Sequence, residues 1–224
     1  MRFLLKAVFY LLLFLLVAMG GTAFFFDAFV KRGVEAIGSQ VTGVEVRLEG
    51  VNLSLLSGKG EIRGLTVANP KGYRAPHAFK LERASIHMKP LTAFSDRVVI
   101  HGVAIRGSDI HYEKRDGKAN LDVIQASVES TLSRDRDKKA KSEKKLQIDS
   151  FVIRDAKVHV YGDKPDKPPT VLTLNEIHLK DLGQGPEGIT GAELTRKLTA
   201  AVIKDTLAAM VRGVTDRLKG LFGK

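Results

Sequence analysis

The sequence predicts a mainly β protein with flanking helices: an N-terminal transmembrane helix, a strongly twisted antiparallel β-sheet forming an open hydrophobic groove, and a C-terminal amphipathic helix. Three observations carry that reading. Residues Ala7–Phe26 contain no charge. From about Val44 to Leu182 apolar and polar residues alternate, with β-branched residues in many apolar slots. From Thr190 to Phe222 there is no proline, and apolar residues recur at helical spacing.

The uncharged run is long enough for a bilayer, because twenty helical residues rise roughly 30 Å. It defines a transmembrane anchor over 1–27, with a juxtamembrane helix over 28–42. A cleaved signal peptide is the alternative, since Gly21-Thr22-Ala23 offers a small-x-small site. Phe24, Phe25 and Phe26 follow where a cleavage region is usually polar, which favours an uncleaved anchor. Arg2 and Lys6 precede the run and favour a cytoplasmic N-terminus, although Lys31 and Arg32 beyond its other end work against that bias.

The β region spans residues 43–188. Its strands change parity partway. Val44, Val46 and Leu48 give way to Val51, Leu53 and Leu55 across Glu49-Gly50; Ile62 gives way to Leu65 and Val67 across Gly64; Leu81 gives way to Ile86 and Met88 across Glu82-Arg83. A slip of one residue turns the other face inward, so each change requires a bulge, a bend or a new strand. Two stretches repeat. Ile100–Tyr112 matches Ile148–Val160 at an offset of 48, with Ile105/Ile153, Arg106/Arg154 and His111/His159 identical. Ser85–Leu91 matches Glu176–Leu182. Repeated β units stacked edge to edge predict an elongated sheet.

Between the two units, Arg134–Lys145 carries a net charge of +4 and one small apolar residue, so a disordered basic loop is expected at about 133–146. Leu121–Leu132 before it predicts a short helix opened by an Asn120 cap. The last segment, 189–224, is a basic amphipathic helix with Thr190 and Glu193 forming a capping box. Ile203, Leu207, Met210, Val211, Val214, Leu218 and Leu221 fall in one arc, with Leu194, Leu198 and Val202 on roughly the opposite side. Lys204, Arg212, Arg217 and Lys219 mark its polar side as a membrane-surface candidate.

Composition narrows the chemistry. The chain has no cysteine, which removes disulfides, thiolate metal sites and a cysteine nucleophile. The net charge of +11 asks for an anionic partner, but the basic residues concentrate in the loop and the terminal segment without interleaved aromatics, so no nucleic acid is expected. No phosphate-cradling loop or nucleophile elbow is present, and Gly58-Lys59-Gly60 reads as a hairpin turn. His87, His101, His111, His159 and His178 alternate with apolar residues, which places them on the outward face of strands rather than around a metal. No enzyme activity, catalytic residue, metal or cofactor is expected.

The stretch Gly60–Tyr73, which reads Gly-Glu-Ile-Arg-Gly-Leu-Thr-Val-Ala-Asn-Pro-Lys-Gly-Tyr, resembles the first repeat of the AsmA-like family of bacterial envelope proteins. Ile86–Leu91, Val98–Glu113 and Asn120–Ile124 resemble its following elements, so the likeness covers roughly residues 1–182. Many relatives continue for hundreds of residues, whereas this chain has one abbreviated unit and a helix. The resemblance implies inner-membrane anchoring with the bulk of the chain in the periplasm, a β groove, and a role in phospholipid traffic or outer-membrane homeostasis. Phospholipid and membrane are then the expected partners, and Leu65, Val67, Ile86, Met88, Ile105, Ile110, Ile153, Val158, Ile177 and Leu179 are the groove candidates from the apolar slots. The alternative is a non-enzymatic assembly or scaffold subunit of a larger envelope complex, docking through its sheet edge and C-terminal helix.

The anchor reading has a direct check. Intact mass of the protein from membranes is expected to include residues from Met1 or Arg2 onward; a start at Phe24 would remove the anchor.

Overall fold

Strand β5, Arg97–Arg115, organises the sheet, and its 19 residues pair with strands on both sides. The computed structural model describes residues 27–54, 56–137, 144–162 and 167–222. The expected transmembrane helix, residues 1–26, lies outside the described residues; within them no helix is long and apolar enough to cross a membrane. Helix α1 covers residues 27–42. Strands β1 (Val46–Arg47), β2 (Gly50–Leu53), β3 (Lys59–Val67) and β4 (Phe79–Met88) follow. A 3-10 turn at Pro90–Phe94 leads into β5. Then come β6 (Lys118–Ala119), helix α2 (Asn120–Asp137), β7 (Lys145–Arg154), β8 (Lys157–Tyr161), β9 (Thr170–Thr173), β10 (Ile177–Leu182) and helix α3 (Gly191–Phe222).

All ten strands join one sheet, with the path β1-β3-β4-β5-β7-β10. The pairing corrects the purely antiparallel expectation. β3, β4 and β5 form an antiparallel meander, but β5 pairs in parallel with β7 and then with β8. The register is that of the sequence repeat: Ile100 lies opposite Ile148, Ile105 opposite Ile153 and His111 opposite His159. Two copies of one strand sequence therefore sit side by side, facing the same way. Parallel neighbours cannot be joined by a hairpin and need a crossover, commonly a helix. α2 is that crossover. β10 returns antiparallel on the far side of β7, as β4 does on the near side of β5.

The crossover helix is longer than the charge run suggests. α2 continues to Asp137 and β7 begins at Lys145, so both borders of the expected disordered loop are ordered; residues 138–143 lie outside the described residues. Lys and Arg are good helix formers, so a charged stretch continues a helix readily once tertiary contacts have started it. α3 opens with the reciprocal capping box, Glu193 N–H to Thr190 Oγ1 at 3.0 Å and Thr190 N–H to Glu193 Oε2 at 2.8 Å.

The parity changes line up. Gly64 and Gly107 have φ of +61° and +66°, and Asp155 between β7 and β8 has φ of +55°. Glu82 of β4 falls on the same row, because Arg63 pairs Arg83 and Leu65 pairs Leu81 on either side of it. Arg63, Arg83, Arg106 and Arg154 point outward before the row, and Leu65, Leu81, Ser108 and Ala156 point inward after it. Each strand spends one extra residue at the same level, so the inward face flips without loss of register. The left-handed backbone at that row suits glycine at two of the positions.

Three helices, not one, cover the apolar face. Val41 of α1, Leu121, Ile124 and Val128 of α2, and Ala192 and Ala209 of α3 share one buried cluster with Leu81, Ala84, Ile105, Ile110, Ile153 and Val158 of the sheet. The open hydrophobic groove is thus corrected over this part of the face. α3 packs through small residues: Ala192, Thr206 and Ala209 are buried, and the α-carbon of Gly213 passes so close to β9 that a Cβ there would lie 3.1 Å from Leu172 Cδ2. The expected apolar arc is packed only in part: Ile203 meets the core, as do Leu194, Leu198 and Val202 from the other side. Leu207 and Val211 are exposed, and the side chains of Val214, Leu218 and Leu221 lie outside the described residues.

Ile110 and Val158 pair across the parallel seam, each with 0% exposure. An aspartate at either position buries an unpaired charge, at a cost of several kcal/mol against a total stability of about 5–15 kcal/mol. Ile110→Asp and Val158→Asp are each expected to lose the native circular dichroism spectrum; retention of fold in both would mean that the helices do not seal this face.

Candidate functional site

The ten groove candidates lie on one face, in cross-strand rows. Val67, Phe79, Ile110, Val158 and Leu172 form one row, and Ile105, Ile153 and Ile177 another. Met88, Ile105, Ile110, Ile153, Val158 and Ile177 are buried. Leu65, Val67, Ile86 and Leu179 are half-buried at the margins of the helical cover. Of the membrane-surface candidates, Lys204 and Arg212 are exposed on α3, and the side chains of Arg217 and Lys219 lie outside the described residues.

The cover is imperfectly satisfied. Ser108 Oγ on the inward face of β5, Gln125 Oε1 on α2, and Arg196 Nε and Thr206 Oγ1 on α3 are buried with no hydrogen-bond partner among the described residues. Each such group costs about 1–3 kcal/mol. A separate cavity of about 780 Å³ lies between α1 and the β1–β3 edge, lined by Lys31, Arg32, Glu35, Glu45, Arg47 and Glu49 among others; charges so dense do not suit an acyl chain.

A polar clasp closes one end of the sheet. Glu113, with 1% exposure, accepts the backbone N–H of Arg74 at 2.7 Å and of Ala75 at 3.0 Å, and Arg74 Nε at 3.0 Å. Asn120 Nδ2 donates to Asn69 Oδ1 at 2.8 Å and to the carbonyl of His111 at 2.7 Å, while its Oδ1 accepts the N–H of Glu113 at 3.0 Å. Asn69 Nδ2 reaches the carbonyl of Ala75 at 3.0 Å. The Asn-Pro-x-Gly-Tyr turn with the two residues after it, Glu113 near the end of β5 and the asparagine that opens α2 thus form a single hydrogen-bonded unit. Asn120 was expected to cap α2 with its side chain; the side chain is committed to this unit instead. Burial alone would raise the Glu113 carboxyl, but its hydrogen bonds outweigh that and hold it below the ordinary glutamate value.

The AsmA family model matches residues 1–215. The chain belongs to the AsmA family. No curated protein matches it. Family membership points to a role at the bacterial envelope.

The solvent face of this AsmA protein carries an arrangement that the alternation pattern alone did not reveal. Arg63, Arg83, Arg106 and Arg154 lie directly opposite one another on β3, β4, β5 and β7. Like charges in such a row repel. Glu61 sits 3.7 Å from Arg63 and 3.6 Å from Arg83, and Glu176 sits 2.5 Å from Arg154; Arg106 has no acidic partner among the described residues. The sequence signal was partial: the repeat aligned Arg106 with Arg154, but Arg63 and Arg83 needed the register.

Above the crease the same face carries a histidine cluster. His111 stacks on His159 at 4.7 Å and meets His77 at 4.4 Å, and its Nδ1 lies 2.9 Å from Tyr161 Oη. His159 Nε2 lies 3.2 Å from Asp109. Outward placement was expected for His111, yet these neighbours bury it. Among the described residues no group of three or more potential ligands is placed to hold a metal ion. Burial first, then repulsion from His77 and His159, pushes His111 down from 6.5 to about 4.

A histidine with a lowered folded pKa contributes stability above its unfolded value, and that contribution is lost as pH falls. Urea melts are expected to show stability declining from pH 6.5 toward pH 4, with a shallower decline in His111→Gln. Identical slopes in the two proteins would assign the acid sensitivity elsewhere.

Proposed function

We propose that this AsmA-family protein is a non-enzymatic, inner-membrane-anchored envelope protein that binds or guides phospholipid acyl chains along the apolar face of its sheet, in support of lipid transport or outer-membrane homeostasis. The observation that supports the reading is a continuous apolar face beneath three helices, of which α3 is the one we infer to be displaceable. Displacing α3 returns Thr206 Oγ1 and Arg196 Nε to water, which recovers part of the cost of exposing the face. Acyl chains then supply the rest, at about 0.8 kcal/mol for each methylene buried. The half-buried Leu65, Val67, Ile86 and Leu179 give such chains a place to begin at the margin of the cover. The exposed Lys204 and Arg212 on α3 suit the phosphates of a headgroup.

A second reading draws on the sheet edge. Among the described residues β9 pairs only with β8, and its Val171 is exposed, so a strand of another chain can add there. This favours a scaffold subunit of a larger envelope complex. Lipid mass spectrometry on the gently purified full chain separates the two: near-stoichiometric phospholipid supports carriage, and a defined protein partner without lipid supports the scaffold.

A displaceable α3 makes a sharper demand. The chain lacks cysteine, so Leu172→Cys with Gly213→Cys introduces a single pair that can tie α3 to β9 where the two already touch. Oxidised protein is expected to carry much less phospholipid than reduced protein, with lipid uptake restored by reduction. Equal lipid content in both states would sink the proposal that α3 must move.

A further inference from the structure

We propose that one end of the sheet is a second membrane contact, in which the tips of two loops dip into the same bilayer surface that holds the N-terminal apolar segment. The proposal rests on the membrane-anchor reading of Ala7–Phe26 and goes beyond it by naming the residues that touch lipid.

Among the described residues, eight large hydrophobic side chains are exposed, and four of them gather at this end. Leu56, in the turn between β2 and β3, is 89% exposed. Leu91 and Phe94, on the 3-10 turn, are 85% and 71% exposed. Phe29, in the first turn of α1, is 71% exposed. The backbone places the two loops together: Met88 N–H donates to the carbonyl of Gly58 at 2.6 Å, and a Cβ on Gly58 would lie 3.1 Å from Pro90 Cδ. A water-soluble loop gains nothing from leucine at its tip, whereas a loop that enters the headgroup region buries it.

The occupant follows from where the uncharged segment ends. Twenty uncharged residues stop at Phe26, and Asp27 is fixed to the sheet by the N–H of Leu53, which it accepts at 3.0 Å. Leu53 is the last residue of β2, immediately before the turn that carries Leu56. The chain therefore leaves its apolar segment beside the exposed tips. Charge agrees with a phospholipid surface. Lys89 and Lys144 are exposed around the 3-10 turn, and Lys144 Nζ donates to the carbonyl of Ala93 at 2.7 Å, which holds an ammonium against that turn. Apolar tips ringed by lysine are the pattern of a shallow insertion into an anionic interface.

The test uses the full chain in phosphatidylethanolamine–phosphatidylglycerol vesicles. Leu56→Cys, Leu91→Cys, Phe94→Cys and, as control, Val171→Cys are each labelled with an environment-sensitive fluorophore, a clean chemistry because the chain has no other cysteine. The three tip labels are expected to shift to the blue and to be quenched several-fold more strongly by nitroxide-bearing lipids than the Val171 label. Protein that floats with the vesicles while all four labels remain equally wet would overturn this proposal and leave the anchor standing. Protein that fails to float at all would remove the anchor and this proposal together. Tips that stay wet in vesicles but become protected in native envelope membranes would assign the patch to a protein partner, and would also overturn it.

Discussion

The parallel pairing of β5 with β7 and β8 constrains the rest of the molecule. Two copies of one strand sequence lie in register at an offset of 48, facing the same way. Because parallel strands must be joined by a crossover, the chain between them has to leave the sheet, traverse one face and return. That traverse is α2, and the face it crosses is the apolar one. Once α2 is there, α3 has a groove between helix and sheet to pack into, with Ala192, Thr206 and Ala209 buried and Leu194, Leu198, Val202 and Ile203 packed beside them. The seam thus decides where the helices go, and the helices decide how much of the face meets solvent.

The clasp serves the same seam from its end. β5 is long, and a strand of 19 residues frays unless its end is held. Glu113 and Asn120 hold it by fixing the Asn69–Ala75 turn on one side and the start of α2 on the other. The grip is specific in its chemistry: a carboxylate that accepts two backbone N–H groups, and an amide that donates twice and accepts once. The two faces of the sheet then diverge in character. The inner face is apolar and covered, while the outer face carries the arginine row and the histidine cluster.

Much of this fold was legible in the residues. Alternation located the strands, the parity changes at Gly64 and Glu82 marked the row where the face flips, and the repeat named the partners Ile105 and Ile153. Strand direction was not legible, since a repeat fixes which residues correspond and says nothing of whether an antiparallel strand intervenes. The cover was underestimated for two reasons. The charges of Arg134–Asp137 disguised the last turn of α2 as loop, and the most buried residues of α3, Ala192, Thr206 and Ala209, are small ones that an apolar-stripe argument overlooks. The apolar slots share one face of the sheet, but how far that face meets solvent depends on those helices. The arginine row was hidden because its members lie in four separate segments and meet only through register.

The row at Gly64, Glu82, Gly107 and Asp155 has a mechanical consequence. Left-handed residues interrupt three of the four strands at one level, so the ladder is weakest along a line perpendicular to the strands. A sheet scored in this way has one compliant axis and two stiff panels. Thermal bending will concentrate there, as in card folded once, and the panel bearing the arginines will tilt against the panel bearing the histidines while each keeps its own pairing. Helices that span the score resist that tilt, and any event that lifts them also softens the sheet beneath.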